Sequence, residues 1–349
     1  MSSPAIPDTQ KAWVEVTKGK PEQGVRLKTD WPVTKSLEDG DVLVKIQAAA
    51  LNPAGYKMLG MVPDFLAKRP VVAEFDFAGV VVDTKDSDYQ VGDEVCGFTL
   101  FPWRLKKKEG ALAEYIRVPA KFIIKRPSNL SPIEGSGICL AGMTAFQALD
   151  EAKLEEGQTL FVNGGSTAVG SFAIQLAKAR GAKVVAVASG KNEKYVRDLG
   201  ADEFIDYTQV GPLHKHLVKN PPSDKYNVIL EAVGLFDPSL YTFSKAYLAP
   251  NGVYISVGPQ PKLKWKTIWD GLRLTTMYLP SFLTGFKATF KVTWVEHDKE
   301  RFAQFRQLIE EGKVKPLIDS VFSFEDVLKA YERLITQRAT GKVVVKVSV

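Results

Sequence analysis

Residues 161–181 read "FVNGGSTAVGSFAIQLAKARG": an apolar run, a glycine-rich break, and a stretch with helical spacing. The run is long enough for a buried strand, and Phe172, Ile174, Leu176 and Ala177 would face a sheet from the helix that follows. Laid over G-x-G-x-x-G, the break supplies Gly165 and Gly170 but places Thr167 where the middle glycine lets backbone approach a pyrophosphate. The strand-to-helix context still makes this a nucleotide loop. Residues Gly165, Ser166, Thr167, Ala168, Val169 and Gly170 are the expected phosphate cradle, with the Ser166 and Thr167 hydroxyls and the amides near Val169 and Gly170 meeting phosphate oxygens.

Around this stretch, "KVVAVAS", "EFIDY", "NVILEAVG" and "VYISVG" are short buried-strand candidates separated by helical segments near 170–180, 192–200 and 237–248. That alternation predicts an α/β fold with a doubly wound parallel sheet. The first third differs: "KAWVEV", "DVLVKIQAAALN", "DFAGVVVDT", "GDEVCGF" and "LAEYIRVPA" are β-like runs broken by turn residues, an all-β module. After residue 294 come two more helices, one ending at Gly312, and a terminal strand in "GKVVVKV". The expected organisation is a discontinuous β-rich domain, 1–128 with 295–349, flanking a dinucleotide-binding domain at 129–294, with the site in the cleft between them.

Composition sets the outer limits. With 349 residues, 45% hydrophobic and 25% charged, the chain falls outside the disordered and fibrous classes. Cys96 and Cys139 are too far apart for a C-x-x-C site, the N-terminus lacks a signal-peptide core, and no segment has the length of a membrane span; a cytoplasmic chain is expected. The net charge of +6 suits an anionic cofactor rather than nucleic acid, and "RLKKKEG" at 104–110 is expected to be a solvated loop. His214, His216 and His297 show no metal-ligand spacing and are expected on the surface. The second strand of the nucleotide module ends in Ser189, Gly190 and Lys191 instead of the acid that holds a ribose 2′-hydroxyl. A hydroxyl and an ammonium welcome a 2′-phosphate, so NADPH is the expected cofactor.

Taken together, "AAALNPAGYKMLG" (48–60), "DFAGVVV" (76–82), "VGDEVCGF" (91–98), "GALAEYIRVPA" (110–120), "AGMTAFQAL" (141–149), "LGADEFIDY" (199–207) and "GKVVVKV" (341–347) resemble the medium-chain dehydrogenase/reductase superfamily, in its zinc-independent quinone-oxidoreductase and enoyl-reductase branch. The resemblance implies a Rossmann domain beside a discontinuous GroES-like domain. It aligns Asn52, Phe75 and Leu140 with the zinc ligands of the metal-dependent members, and none of the three suits zinc, so no metal is expected. The branch's N-P-x-D motif here reads "NPAG", with Gly55 in place of the acid. The next residues resemble the D-x-K-M arrangement of fungal trans-acting enoyl reductases and align Lys57 with a lysine of their active site, while Thr144 resembles a threonine near the nicotinamide.

The resulting expectation is an NADPH-dependent reductase moving hydride to a quinone or an activated C=C or carbonyl compound. Asn52, Tyr56, Lys57 and Thr144 would be its catalytic residues, only one of Tyr56 and Lys57 reaching the substrate oxygen if 52–60 is extended. Ser189, Lys191, Tyr207, Val233, Gly234, Val257, Gly258 and Lys342 would join the glycine loop in holding the cofactor, and 265–286 would wall the pocket. A synthase-partnered enoyl reductase and a nucleotide-binding protein with little turnover are the alternatives. The partner is a small electrophile, and the chain would be a monomer or homodimer.

Overall fold

The computed structural model describes residues 6–258 and 288–348, so the expected pocket wall at 265–286 lies outside the described residues. The chain divides into two compact units, Met1–Leu140 with Glu296–Glu310 and Pro316–Val349, and Ala141–Val295 with Glu311–Lys315. The division falls inside the helix Pro132–Glu151, twelve residues beyond the border expected at 128/129. That helix's early turns belong with the first unit: the Leu140 amide donates to Asp76 Oδ1 at 2.8 Å, and Gly137 lies against Ile318 and Lys342. Residues 311–315 join the second unit, where Lys315 exchanges two hydrogen bonds with the Gln175 side chain, at 2.8 and 3.1 Å.

The second unit is built on a six-stranded parallel sheet in the order Glu203–Asp206, Lys183–Ala188, Thr159–Asn163, Tyr226–Glu231, Leu248–Ser256, Thr289–Val292. Numbered by sequence within the sheet this is 3-2-1-4-5-6, the doubly wound order with its switch point beside Thr159–Asn163. The central strands are buried along almost their whole length, as a parallel sheet covered on both faces requires. Helix Ala168–Ala179 packs through Phe172, Ala173, Ile174 and Leu176, all buried.

In the first unit a seven-stranded sheet runs Ile318–Ser323, Lys342–Lys346, Asp41–Ala50, Asp76–Thr84, Glu94–Phe98, Ile123–Lys125, with Tyr115–Pro119 also paired to Asp41–Ala50. All its pairings are antiparallel except that of the two C-terminal strands. The returning C-terminus thus lies against Ala48–Ala50, directly before Asn52. Trp13 donates its indole N–H to the Phe324 carbonyl at 2.6 Å, fixing the last helix, Val327–Ile335, over the same core.

Residues 53–61 form a helix opened by Pro53, so the extended case, with Tyr56 and Lys57 on opposite faces, does not arise. Two expectations fail. In "RLKKKEG", Arg104 is fully buried because Glu15 pairs with its guanidinium at 2.9 Å and the Phe75 and Phe101 rings lie beneath it; Glu109 is buried too. His297 is not a surface residue. It stacks between Phe98 and Phe122 at 4.2 and 4.0 Å, and burial pushes its pKa down to about 3. No helix among the described residues is long and apolar enough to cross a membrane.

Candidate active site

In the second unit the glycine loop answers for its threonine. Thr167 is the N-cap of Ala168–Ala179: its hydroxyl oxygen accepts from the Gly170 amide at 3.0 Å and its hydrogen goes to the Gly164 carbonyl at 2.8 Å. A cap side chain satisfies one of the helix's orphan amides and therefore takes the place of a turn glycine. The turn itself is made by Gly164, at φ +94, a residue the motif overlay passed over. Gly170 is irreplaceable, since a Cβ there would stand 2.1 Å from the Gly164 carbonyl oxygen. Ser166 accepts from Asn192 Nδ2 at 3.0 Å, tying the loop to the Ser189–Asn192 turn.

The other expected cofactor residues of the second unit follow the C-terminal ends of its strands. Ser189 precedes a short 3-10 turn, and Lys191 on that turn is exposed. Tyr207 is exposed just after the third strand, where Asp206 accepts from the Thr208 hydroxyl and amide and from the Gly190 amide, contacts that hold its carboxyl below the usual range. Val233 and Gly234 are shaped by a residue the sequence reading did not select. The carboxylate of Glu231, 1% exposed, accepts from the Val233, Gly234 and Leu235 amides at 2.8–3.0 Å and from the Ser256 hydroxyl at 3.0 Å. Burial raises its pKa against the pull of these donors. Gly258 donates to the same Ser256 hydroxyl, and Val257 to the Glu231 carbonyl. A nicotinamide dinucleotide fits this donor set: a helix start with amides beside the one Thr167 caps, a backbone approach that a Cβ would block, and an exposed ammonium.

The first unit brings together Asn52 and Lys342. Lys342 Nζ, 3% exposed, donates to Asn52 Oδ1 at 2.6 Å and Asp76 Oδ2 at 2.8 Å, and Asn52 Nδ2 donates to Asp76 Oδ2 at 3.0 Å and the Ala50 carbonyl at 3.2 Å. Lys342, expected at the cofactor, is committed to this buried triad. Behind it, Glu74 is fully buried; its carboxylate accepts from the Tyr331 hydroxyl at 2.8 Å and the Asn52 amide at 3.1 Å. Burial raises its pKa to about 7, while Tyr331, Arg104, the Asn52 amide and Lys342 pull it down. Asp76, Glu74 and Tyr331 were not found in the sequence because no local pattern links positions up to 257 apart.

Tyr56 and Lys57 follow on the helix Pro53–Met61, both partly buried, with Lys57 Nζ 5.6 Å from the centre of the Tyr56 ring. Burial raises the Tyr56 pKa, and Gln337 bonds its hydroxyl. Thr144 lies in the second unit, partly exposed on the helix Pro132–Glu151. The positions aligned with zinc ligands carry an amide engaged by an ammonium, a buried phenyl ring and an isobutyl group, which do not fit the metal. Among the described residues no group of three His, Cys, Asp or Glu side chains could hold a metal ion.

Comparison with known proteins places this geometry. Residues 38–128 match the family described as alcohol dehydrogenase GroES-like domain, and residues 199–345 match that described as zinc-binding dehydrogenase. The chain is 31% identical to the trans-enoyl reductase pgmF of Aspergillus terreus, over 98% of this chain and 97% of that one. It is 34% identical to the chloroplastic NADPH-dependent alkenal/one oxidoreductase of Arabidopsis thaliana, over 98% and 80%. The solved structure of the quinone oxidoreductase from Coxiella burnetii superposes with a TM-score of 0.77 at 26% identity, covering 97% of this chain and 99% of that one. With the 3-2-1-4-5-6 sheet and the capped glycine loop, these likenesses show that the chain belongs to the medium-chain dehydrogenase/reductase superfamily, in its quinone-oxidoreductase and enoyl-reductase branch, and is an oxidoreductase using a nicotinamide cofactor.

Proposed function

We propose that the protein is an NADPH-dependent reductase of α,β-unsaturated carbonyl compounds, with quinones as secondary acceptors. The bound cofactor supplies the hydride. The observation that carries the reading is the helix Pro53–Met61, which presents Tyr56 and Lys57 from an anchor at Asn52 that is itself an organic cation–amide–carboxylate triad instead of a metal shell. Reduction of an enone places negative charge on its oxygen, and an ammonium aimed at that oxygen stabilises the transition state more than the ground state. Lys57 has that role in this reading. Tyr56 packs beneath the ammonium, and Asn52, Asp76 and Lys342 hold the helix start. Thr144 belongs to the nicotinamide end.

In the second unit, Gly164–Gly170 receive the pyrophosphate, Glu231 fixes the 233–235 turn against the nicotinamide half, and Ser189, Lys191 and Tyr207 receive the adenosine 2′-phosphate. Lys191→Ala should weaken NADPH binding about 10- to 150-fold and NADH binding little, the worth of one charge-assisted contact. The functional test is NADPH consumption against enones, quinones and acyl thioesters. Turnover on enones that falls about 10- to 1000-fold in Lys57→Ala, with NADPH affinity kept, supports the reading. Turnover confined to acyl thioesters would mark a synthase-partnered enzyme. NADPH binding without turnover on any class would overturn the reading.

A further inference from the structure

Gly55 is buried in the first turn of the helix Pro53–Met61, and it faces a carboxylate. A Cβ built on it would stand 2.1 Å from Glu74 Oε1, 2.7 Å from its Cδ and 3.0 Å from Oε2. No side chain fits at 55 while Glu74 keeps its position. Glu74 holds that position at a cost, because it is a fully buried acid whose backbone is at φ +64, a region non-glycine residues rarely occupy. Strain of this kind persists only where surrounding contacts determine it. Here they do: Glu74 accepts from the Asn52 amide, at the mouth of the helix that carries Tyr56 and Lys57, and from Tyr331, on the helix Val327–Ile335.

The motif that "NPAG" resembles has an aspartate at position 55. The Cβ of such an aspartate alone would stand 2.1 Å from Glu74 Oε1, so the two carboxyl groups compete for the same space. We propose that Glu74 is the positioning residue of the Asn52–Lys57 segment, and that Gly55 and Glu74 are the two halves of one relocated carboxylate, supplied by the chain at 74 instead of by the helix at 55. The proposal rests on the reading of Lys57 as the oxygen-directed cation. It explains both anomalies together, the missing acid at 55 and the glutamate in a glycine-like backbone at 74. It also makes the two positions exchangeable as a pair and not singly.

The test is a double-variant cycle of wild type, Gly55→Asp, Glu74→Gly and the two combined, read by kcat and the KM for NADPH on the best enone and by thermal melting. Gly55→Asp sets two carboxylates in one volume; Glu74→Gly relaxes the backbone but strips the Asn52 amide and the Tyr331 hydroxyl of their acceptor. Each single variant should lower kcat about 10-fold or more with the KM for NADPH within about twofold, and the combined variant should return to within about threefold of wild type, a coupling typical of residues in contact. Melting should show the same recovery of the combined variant over Gly55→Asp. If Gly55→Asp does not fold, Gly55→Ala replaces it: harmful beside Glu74, neutral in the Glu74→Gly background, where the volume of the carboxylate is open. A combined variant no better than the worse single one overturns the proposal, and recovery of melting without kcat reduces the pair to packing and overturns the positioning role. Should the wild type turn over no enone, quinone or thioester, the functional reading fails by itself. Hydrogen exchange of the Asn52 amide then decides the pair: protected in wild type and in the combined variant, open in Glu74→Gly.

Discussion

Glu231 and Glu74 are both buried carboxylates that accept from the backbone of a neighbouring turn or helix start, yet they differ in reach. Glu231 is served by donors within 25 positions of itself, three of them amides two to four residues further on. Glu74 is served from 22 positions away on one side and 257 on the other. The 233–235 turn is therefore a local structure, whereas the helix Pro53–Met61 is held in part by contacts from Tyr331 and Lys342, which exist only once the C-terminal segment has returned to the first unit. A substitution in the long-range set should act on the stability of the whole unit, and one in the local set on the cofactor. The predictions below separate these two behaviours.

The largest effect is expected at Lys342. Lys342→Ala leaves Asp76, whose side chain is fully buried, without its cation, and removes the donor to Asn52 Oδ1. Breaking a buried pair from one side costs about 3–5 kcal/mol, read as a lowered midpoint in chemical denaturation. A loss under about 1 kcal/mol with NADPH affinity sharply reduced would instead return Lys342 to the cofactor.

The second expectation concerns pH. Glu74 is raised by burial to about 7 in the folded protein, so between about 4.5 and 7 the folded state holds a proton that the unfolded state has released. Its contribution is complete at low pH and is lost as pH rises through that window, on the order of 3 kcal/mol in total. Glu109, also raised to about 7 by burial, slopes the same way, whereas His297, lowered to about 3, makes stability rise with pH between about 3 and 6.5. The difference between wild type and Glu74→Gln isolates the first term. Equal slopes for the two proteins would show that Glu74 ionises normally. Next in size is Glu231→Ala, about 2 kcal/mol in stability for several unpaired backbone donors, with NADPH affinity falling more than that of any first-unit variant. Unchanged NADPH affinity would remove Glu231 from the cofactor turn.

The same contrast governs what could be read from the sequence. The alternating strands and helices of the second unit, its glycine loop and the β-rich first third follow from periodicity within windows of a few residues, whereas the order of the strands in the sheet does not. The helix at 53–61 was not read from the sequence, because a nine-residue element with glycines at 55 and 60 carries little periodic signal. Arg104 and His297 were misread because charge and polarity predict exposure only where no partner awaits. Glu15 and two aromatic rings wait for the guanidinium, and two aromatic rings for the imidazole. At Thr167 the letters fit two patterns, a glycine motif with one position changed and an ordinary helix cap, and the side chain makes the cap's hydrogen bond.

Thr167→Ala is the smallest expected effect and the one that discriminates best. If the hydroxyl met a phosphate oxygen directly, its loss would cost the cofactor a contact worth about 10-fold or more in NADPH affinity and leave the unliganded protein untouched. The geometry assigns it elsewhere: its one hydrogen, which a phosphate oxygen would need, goes to the Gly164 carbonyl, and its oxygen accepts from the Gly170 amide. Removing a threonine cap costs about 1 kcal/mol of folding stability, so the unliganded protein should lose that much in denaturation. NADPH affinity should fall only about threefold, through a less ordered loop, and Thr167→Ser should keep both properties, because serine caps as well as threonine. A loss of affinity without a loss of stability, unrepaired by serine, would mean that the loop rearranges when the nucleotide enters and frees the hydroxyl for phosphate.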